Sequence, residues 1–485
     1  MTNLEALLNA GQRMLAQRPV PRARVPADIW HQAIAQLSAG ALTLLSVWAD
    51  AGCVHMALLE PEDSEIGLLT LPCPDGRYPS IARLHPPAIR LERAIYDLFG
   101  YLPEGLPDSR PWLDHRDGTN YAFLPVDGTG LHQIPVGPVH AGIIEPGHFR
   151  FTCDGETVVR LEQRLGYVHK GVDALFGGLA VDRAARLACR VSGDSTVAFG
   201  LGFARAVEAA LGVSPPPRAV WLRGLMAEME RIANHLGDFG AICNDASFTI
   251  ILSHCAVLRE RMLRAADAAF GHRLMMDRIV PGGVTVDLDA QNMAAIGGLV
   301  SEVREKFAAL TKLYDQAASL QDRTVTTGFL KPGLARQFGA GGFVGRASGR
   351  AFDARKHPGY EPYDALAFEV PVREDGDVNA RAWIRALEIT ESLSLIEQIL
   401  HGLPDGEISV PSPRGSGEAL TLTEAFRGDV LIWLRINDGL VDRCHIRDAS
   451  WFQWPLLEVV IEGNIVADFP LCNKSFNCSY SGHDL

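Results

Sequence analysis

The chain has no long apolar run. A helix that crosses a bilayer needs about 18 consecutive apolar residues. The best candidate, Ala41 to Ala49, is stopped by Asp50, so no membrane span is expected. No secretory leader is expected either, since Met1-Thr-Asn-Leu-Glu5 offers no basic stretch followed by an apolar core, and the expected compartment is the cytoplasm. There is no basic excess. Lys and Arg number 45 against 58 Asp and Glu, a formal charge of −13, which argues against a nucleic-acid partner held by a general positive field. The nine cysteines contain no CxxC pair. An odd, scattered set suits buried thiols in a reducing compartment rather than a disulfide framework. GxGxxG after a strand, GxxxxGK and any four-cysteine iron–sulfur pattern are also absent, so this chain is expected to bind neither a nicotinamide nor a cluster of its own. No nucleophile elbow points to acyl transfer.

What is present can build a large core. At roughly 150 residues per domain, 485 residues suggest about three folding units. Hydrophobic residues at 47%, charged residues at 21% and a mean hydropathy of +0.06 describe an ordinary globular chain. Leu4, Leu7, Leu8 and Leu15 stand at helical spacing, and Leu42 to Glu60 reads as a hairpin around Asp50-Ala-Gly52. A helix over about Ala88 to Leu98 ends at Gly100, the residue type that best takes a left-handed cap. From Tyr101 to Gly147 prolines and glycines are dense, which predicts irregular chain and a domain junction. His148 to Gln163 alternates as a hairpin around Asp154-Gly155. Asp194–Ala210, Trp221–Gly237, Leu258–Phe270, Val300–Leu320 and Ala380–Leu400 show apolar residues three and four apart, which predicts helices. A late hairpin turns at Asn437-Asp-Gly439, and Pro455 to Val466 makes a last apolar element. The expected class is α+β, with a small N-terminal α+β domain (residues 1–120), a linker (121–147) and a large, mainly helical domain with short hairpins (148–485).

Several segments carry a family resemblance over nearly the whole chain. Leu91-Glu-Arg-Ala-Ile-Tyr-Asp-Leu-Phe-Gly100 with Gly105-Leu-Pro-Asp108 resembles the 30-kDa subunit of respiratory complex I. Gly137-Pro-Val-His140, Gly166-Tyr-Val-His-Lys-Gly171, Asn234-His-Leu236, Pro281-Gly-Gly283 and Gly345-Arg-Ala-Ser-Gly349 resemble its 49-kDa subunit. Their fusion is similar to the large subunit of group 4 nickel–iron hydrogenases of the formate-hydrogenlyase type. Within that group the chain resembles the energy-converting hydrogenase-related proteins that lack nickel-ligand cysteines.

The family holds nickel with two CxxC pairs, a soft thiolate set. By the register of the resemblance, those cysteines fall on Ser192, Ser195, Ser479 and Gly482, with Cys478 one place early. A serine hydroxyl is a hard donor that stays protonated, and glycine offers no side-chain ligand, so no bound metal is expected. Cys472 and Cys478 could hold another metal with outside help or be structural thiols, the latter favoured. The histidine and tyrosine that hold quinone in complex I fall on Ile144 and Gly193, neither of which has a side-chain donor. Asp245 matches the acid that supports that histidine, or caps the following helix.

The resemblance leaves a cleft lined by ionisable groups. Glu145 resembles the hydrogenase carboxylate that accepts protons beside the metal. With His140, His169, Asp194 and Asp245 it is the candidate set for proton relay, whereas His140 and His148 taken singly read as loop hydrogen bonds. Lys170, one of six lysines, either faces a partner's cluster or snorkels at a helix start; Arg346 either faces the cleft or forms a structural ion pair. The implied partners are an iron–sulfur small subunit that carries the cluster, a ferredoxin-like subunit and antiporter-like membrane subunits. They would hold the chain peripherally on the cytoplasmic face of the inner membrane. The implied role is the catalytic-position subunit of an oxidoreductase complex that couples electron arrival to proton or ion movement. Two alternatives stand beside it: a quinone or other small-acceptor reductase, and a non-catalytic scaffold.

Overall fold

The computed structural model describes residues 2–61, 64–113, 121–140 and 144–485. Its first layer is a five-stranded sheet, in spatial order Gln12–Arg13, Arg22–Arg24, Glu65–Pro72, Cys53–Glu60 and Thr43–Asp50. The expected hairpin is there, with Asp50 opposite Cys53. The sheet is covered by the helices Asn3–Asn9 and Ala27–Ser38, whose Leu4, Leu7, Leu8, Trp30 and Ile34 are buried. Leu15 lies beyond the first helix and is 88% exposed, so the helical reading ran too far there. Helix Ile89–Phe99 stops at Gly100 with φ 70°, as its residue type predicted. The expected boundary near residue 120 falls beside 114–120, outside the described residues.

The proline-dense stretch is more regular than its composition predicts. Leu102–Glu104 pairs with Arg77–Pro79, and Leu131–Val136 joins the His148–Asp154 and Thr157–Arg164 hairpin as a third strand. Pro135 is tolerated because that strand is an edge, where a missing N–H breaks no inner ladder.

Long helices build the body: Thr196–Leu211, Pro217–Asp245, Thr249–Phe270, Ala290–Gln316 and Val378–Gly402. Asp289 and Asp377 cap two of them by accepting backbone N–H bonds from Asn292 and Ala380. Pro217–Asp245 is buried on nearly every side, including its charged residues Arg223, Glu228, Glu230 and Arg231. A helix buried all round needs partners for each of those charges, and the neighbouring helices and the last sheet supply them.

The late hairpin Gly428–Asn437 and Leu440–Arg447 gains a strand that the pattern did not reveal, Gly417–Ala425. On its far side runs Gln17–Pro19 from the N-terminus, in parallel, with Glu418 opposite Gln17. The first and last parts of the chain therefore share one sheet. Trp433 Nε1 donates to Gln17 Oε1 at 3.2 Å, Trp48 stacks on His445 at 4.7 Å, and Arg22 is paired with Glu418.

Candidate functional site

Three separated segments meet at one buried place: residues 191–195 ahead of helix Thr196–Leu211, the turn 425–428 between two strands, and residues 477–482 around the last short helix. Ser192 Oγ lies 3.3 Å from Ser479 Oγ, although 287 residues separate them. The positions assigned to lost ligands by resemblance are therefore neighbours in space. Ser192 Oγ donates to Asp194 Oδ1 at 2.7 Å, and Ser195 Oγ reaches the same oxygen at 3.4 Å. Arg427 clamps Asp194 with two nitrogens, at 2.9 and 2.6 Å, and touches Ser195 Oγ at 3.3 Å. Burial works against the Asp194 charge, but the guanidinium and the hydroxyl donors overcome it and hold the carboxyl at about 2.

Soft-metal chemistry does not fit this donor set. Ser479 is committed as a helix cap: its Oγ accepts from Gly482 N at 2.8 Å, and its own N–H donates to Ser450 Oγ at 2.9 Å. A Cβ at Gly482 would lie 2.9 Å from Asp448 Cγ and 2.9 Å from Ser479 Oγ, so Asp448 fills the space a fourth thiolate would need. Asp448 is 1% exposed and its Oδ2 has no hydrogen-bond partner among the described residues. An arginine ion pair, three hard hydroxyls and a glycine cannot supply the anionic sulfurs of a nickel–iron centre.

Glu145 reaches this pocket: its Oε2 accepts from Ser481 N at 3.2 Å, beside Ser479 and Gly482. His140 Nε2 donates to Gly147 O at 2.8 Å, and His148 Nδ1 donates to Gly137 O at 3.1 Å. These two bonds tie Gly137–His140 to Gly147–His148, so both histidines act as backbone fasteners, and among the described residues no hydrogen bond joins His140 to the serines. His169 Nδ1 donates to Asp484 O at 2.7 Å, and the Lys170 N–H donates to Leu485 O at 2.7 Å. The 168–171 segment thus grips the backbone of the last helix, while the Lys170 side chain is exposed.

Two expected site residues lie elsewhere. Asp245 ends the Pro217–Asp245 helix, eleven residues and about 16 Å of helical rise beyond Asn234. Burial raises its pKa, with Lys474 opposing. It caps nothing: the next helix begins after Phe248 with no side-chain cap bond. Arg346 is fully buried and bonds Glu388, Asp353 and Glu424, so it faces neither solvent nor a partner's cluster. The structural ion pair is its role, because a guanidinium at 0% exposure needs carboxylates around it.

Sequence reading missed Glu230, Arg427 and Asp448. Glu230 lines a small cavity together with Asp194 and Asn234. Its carboxylate accepts from Val197 N at 2.7 Å and Ala198 N at 3.2 Å, yet burial pushes its pKa up to about 8. Asn234, whose Nδ2 donates to the Asp194 carbonyl at 2.7 Å, stands one helical turn after Glu230. An i to i+4 scan from the Asn234-His-Leu236 motif would have found it.

Residues 25–125 match the family described as respiratory-chain NADH dehydrogenase, 30 Kd subunit, and residues 245–416 match the corresponding 49 Kd subunit family. Formate hydrogenlyase subunit 5 of Escherichia coli is 31% identical over 438 residues, covering 84% of this chain and 77% of that protein. The carbon monoxide-induced hydrogenase of Rhodospirillum rubrum is 33% identical over 351 residues, 71% of this chain and 97% of that protein. An NADH-quinone oxidoreductase subunit of Syntrophobacter fumaroxidans is 33% identical over 354 residues, 71% and 94% respectively. The chain belongs to the family of group 4 hydrogenase-type large subunits, with a 30-kDa-like and a 49-kDa-like complex I region in one polypeptide.

Proposed function

We propose that this chain is the catalytic-position subunit of a membrane-associated oxidoreductase complex, and that its pocket couples an electron arriving on a partner's cluster to proton uptake, without nickel. Its relatives are named as subunits of larger enzymes, which supports partner subunits here as well. Among the described residues no helix is long and apolar enough to cross a membrane, in keeping with a peripheral place on the complex. The partners in this reading are an iron–sulfur small subunit, a ferredoxin-like subunit and antiporter-like membrane subunits, and the site is the cytoplasmic face of the inner membrane.

One observation carries the reading: the Arg427–Asp194 pair and the Ser192–Ser479 contact close the place where four thiolates would converge. The pocket keeps proton chemistry while its metal-binding chemistry is gone. Asp194, held at about 2, stays an anion and fixes Arg427. The groups left to carry protons are Glu145, at the 481 backbone, and Glu230, behind Asp194. His169 orients the last helix. Lys170, exposed beside it, adds positive charge that favours the reduced state of a cluster held across the cleft.

The test is the assembled complex, purified from membranes. Glu145→Gln should lower proton translocation and turnover on the order of a hundredfold, the scale of one acid–base group. Elemental analysis should find iron without stoichiometric nickel. Unchanged translocation in the variant, or nickel present at one per complex, overturns the reading.

A further inference from the structure

We propose that Glu424, at the end of strand Gly417–Ala425, is a proton-binding site of this chain, and that the turn 425–428 ties its occupancy to the Arg427–Asp194 pair. Its functional meaning rests on the proton-coupled reading above; its existence does not.

The charges of the core do not balance around Glu424. Four carboxylates, Glu228, Asp353, Glu388 and Glu424, interlock with three guanidiniums, Arg231, Arg346 and Arg355, and none of the seven is more than 2% exposed. Arg346 Nη1 lies 2.9 Å from Glu424 and 3.3 Å from Asp353, and its Nη2 lies 2.7 Å from Glu388. Arg355 bridges Asp353 at 2.7 Å and Glu228 at 3.0 Å, and Arg231 approaches Glu228 at 3.3 Å. Within ion-pair distance one negative charge is left over, and an uncompensated buried charge is relieved by binding a proton.

Glu424 is the carboxyl that takes it. Burial and the facing Asp353 push it up to about 7, against the pull of Arg346 and Arg231. Asp353 and Glu388 are both held far down by guanidiniums that outweigh their burial, and Glu228 is lowered too. On the helix side His235 donates to Glu388 at 2.7 Å, and burial keeps its pKa low, so it adds no charge. From the next strand Asp429 faces Glu424 but is bound by Arg447 at 2.5 Å. Arg350 donates to the Ala340 carbonyl instead. Tyr360 accepts the Glu424 N–H at 3.2 Å, and burial raises its own pKa to about 12.

The link to the pocket is a short piece of backbone. Arg231 Nη2 and Nη1 donate to the carbonyls of Glu424 and Ala425 at 2.9 and 3.0 Å, anchoring one end of the turn to the cluster. Three residues beyond Glu424, Arg427 clamps Asp194. Proton binding forms one O–H bond on Glu424 from a solvent proton and moves no electron onto this chain. It weakens the hold of Glu424 on Arg346, and that change passes to the turn through Arg231.

Infrared titration of the purified full-length chain tests the site. Three buried carboxyls, Glu92, Glu230 and Glu424, are raised to about 7, 8 and 7, so the carboxylic-acid carbonyl signal of the unaltered chain should titrate in that range. Glu424→Gln should remove one component, and Glu92→Gln a different one. A Glu424→Gln titration that superimposes on the unaltered chain overturns the proposal. Asp353→Asn gives a second readout, because losing the facing charge should move the Glu424 component to lower pH; an unmoved component overturns it as well. In the assembled complex Glu424→Gln should lower the number of protons taken up per electron. If the infrared component disappears while that ratio holds, the coupling through the turn is overturned and the proton site stands. If the unaltered complex takes up no protons, the failure belongs to the proposed function.

Discussion

Glu230 shows how one side chain can be both structural and reactive. Its two backbone N–H donors favour the anion, but full burial and the neighbouring Asp194 charge outweigh them, so the folded chain holds a proton up to about pH 8. An unfolded glutamate releases that proton near its ordinary value of about 4.3. Between those two values the folded state binds one more proton than the unfolded state, so stability falls as pH rises, by up to about 1.4 kcal/mol per pH unit for this group. Glu230→Gln should flatten that decline. Melting temperatures measured from pH 5 to about pH 9 check it, and parallel curves for the two proteins would count against the assignment. The residue scale is also where the sequence was least informative. Ser192, Ser195, Ser479 and Gly482 could be placed by resemblance because they stand where a motif fixes the register. Arg427 and Asp448 could not, because each acts on residues far along the chain: Arg427 on Asp194, 233 positions away, and Asp448 by filling the space beside Gly482.

Among the elements, the last helix, Tyr480–Asp484, does the most with the fewest residues. A five-residue helix has almost no intrinsic stability. It is held by the Ser479 cap, by Glu145 on the Ser481 N–H and by the 168–171 segment on its final carbonyls. Ser479→Ala should therefore cost about 1 kcal/mol and loosen this end selectively. Hydrogen exchange should rise at residues 480–485 and stay unchanged in the helix Val378–Gly402; equal protection at both places would show that the cap is dispensable. Periodicity read the long elements well. The helices over 196–211, 217–245 and 378–402 were foreseen in type because their apolar stripes repeat over many turns. Strand Gly417–Ala425 was not, although Leu420-Thr-Leu-Thr423 alternates, because the run is short and its polar residues Thr421, Thr423 and Glu424 are buried rather than facing solvent. Leu131–Val136 was hidden by its proline, which an edge strand accommodates.

For the whole molecule, the decisive feature is the sheet shared by Gln17–Pro19 and Gly417–Ala425. Arg22 on Glu418, Trp433 on Gln17 and Trp48 on His445 add side-chain contacts across the same seam. The N-terminal region cannot leave the body without exposing these groups, so heating should unfold the chain in a single calorimetric transition, with the N-terminal sheet and the body melting together. Two resolved peaks would mean that the seam is weak. Arg22→Ala, which leaves the mostly buried Glu418 only the longer 3.8 Å contact with Arg435, should lower that transition by several degrees.

The seam also sets an order of events at the ribosome. Gln17 leaves the exit tunnel 416 positions ahead of the tryptophan that bonds it. At about 5–20 residues per second, that gap lasts roughly 20–80 s. For that time the early strand has no partner in its sheet, and the seam can close only after both Gly417–Ala425 and Trp433 have emerged.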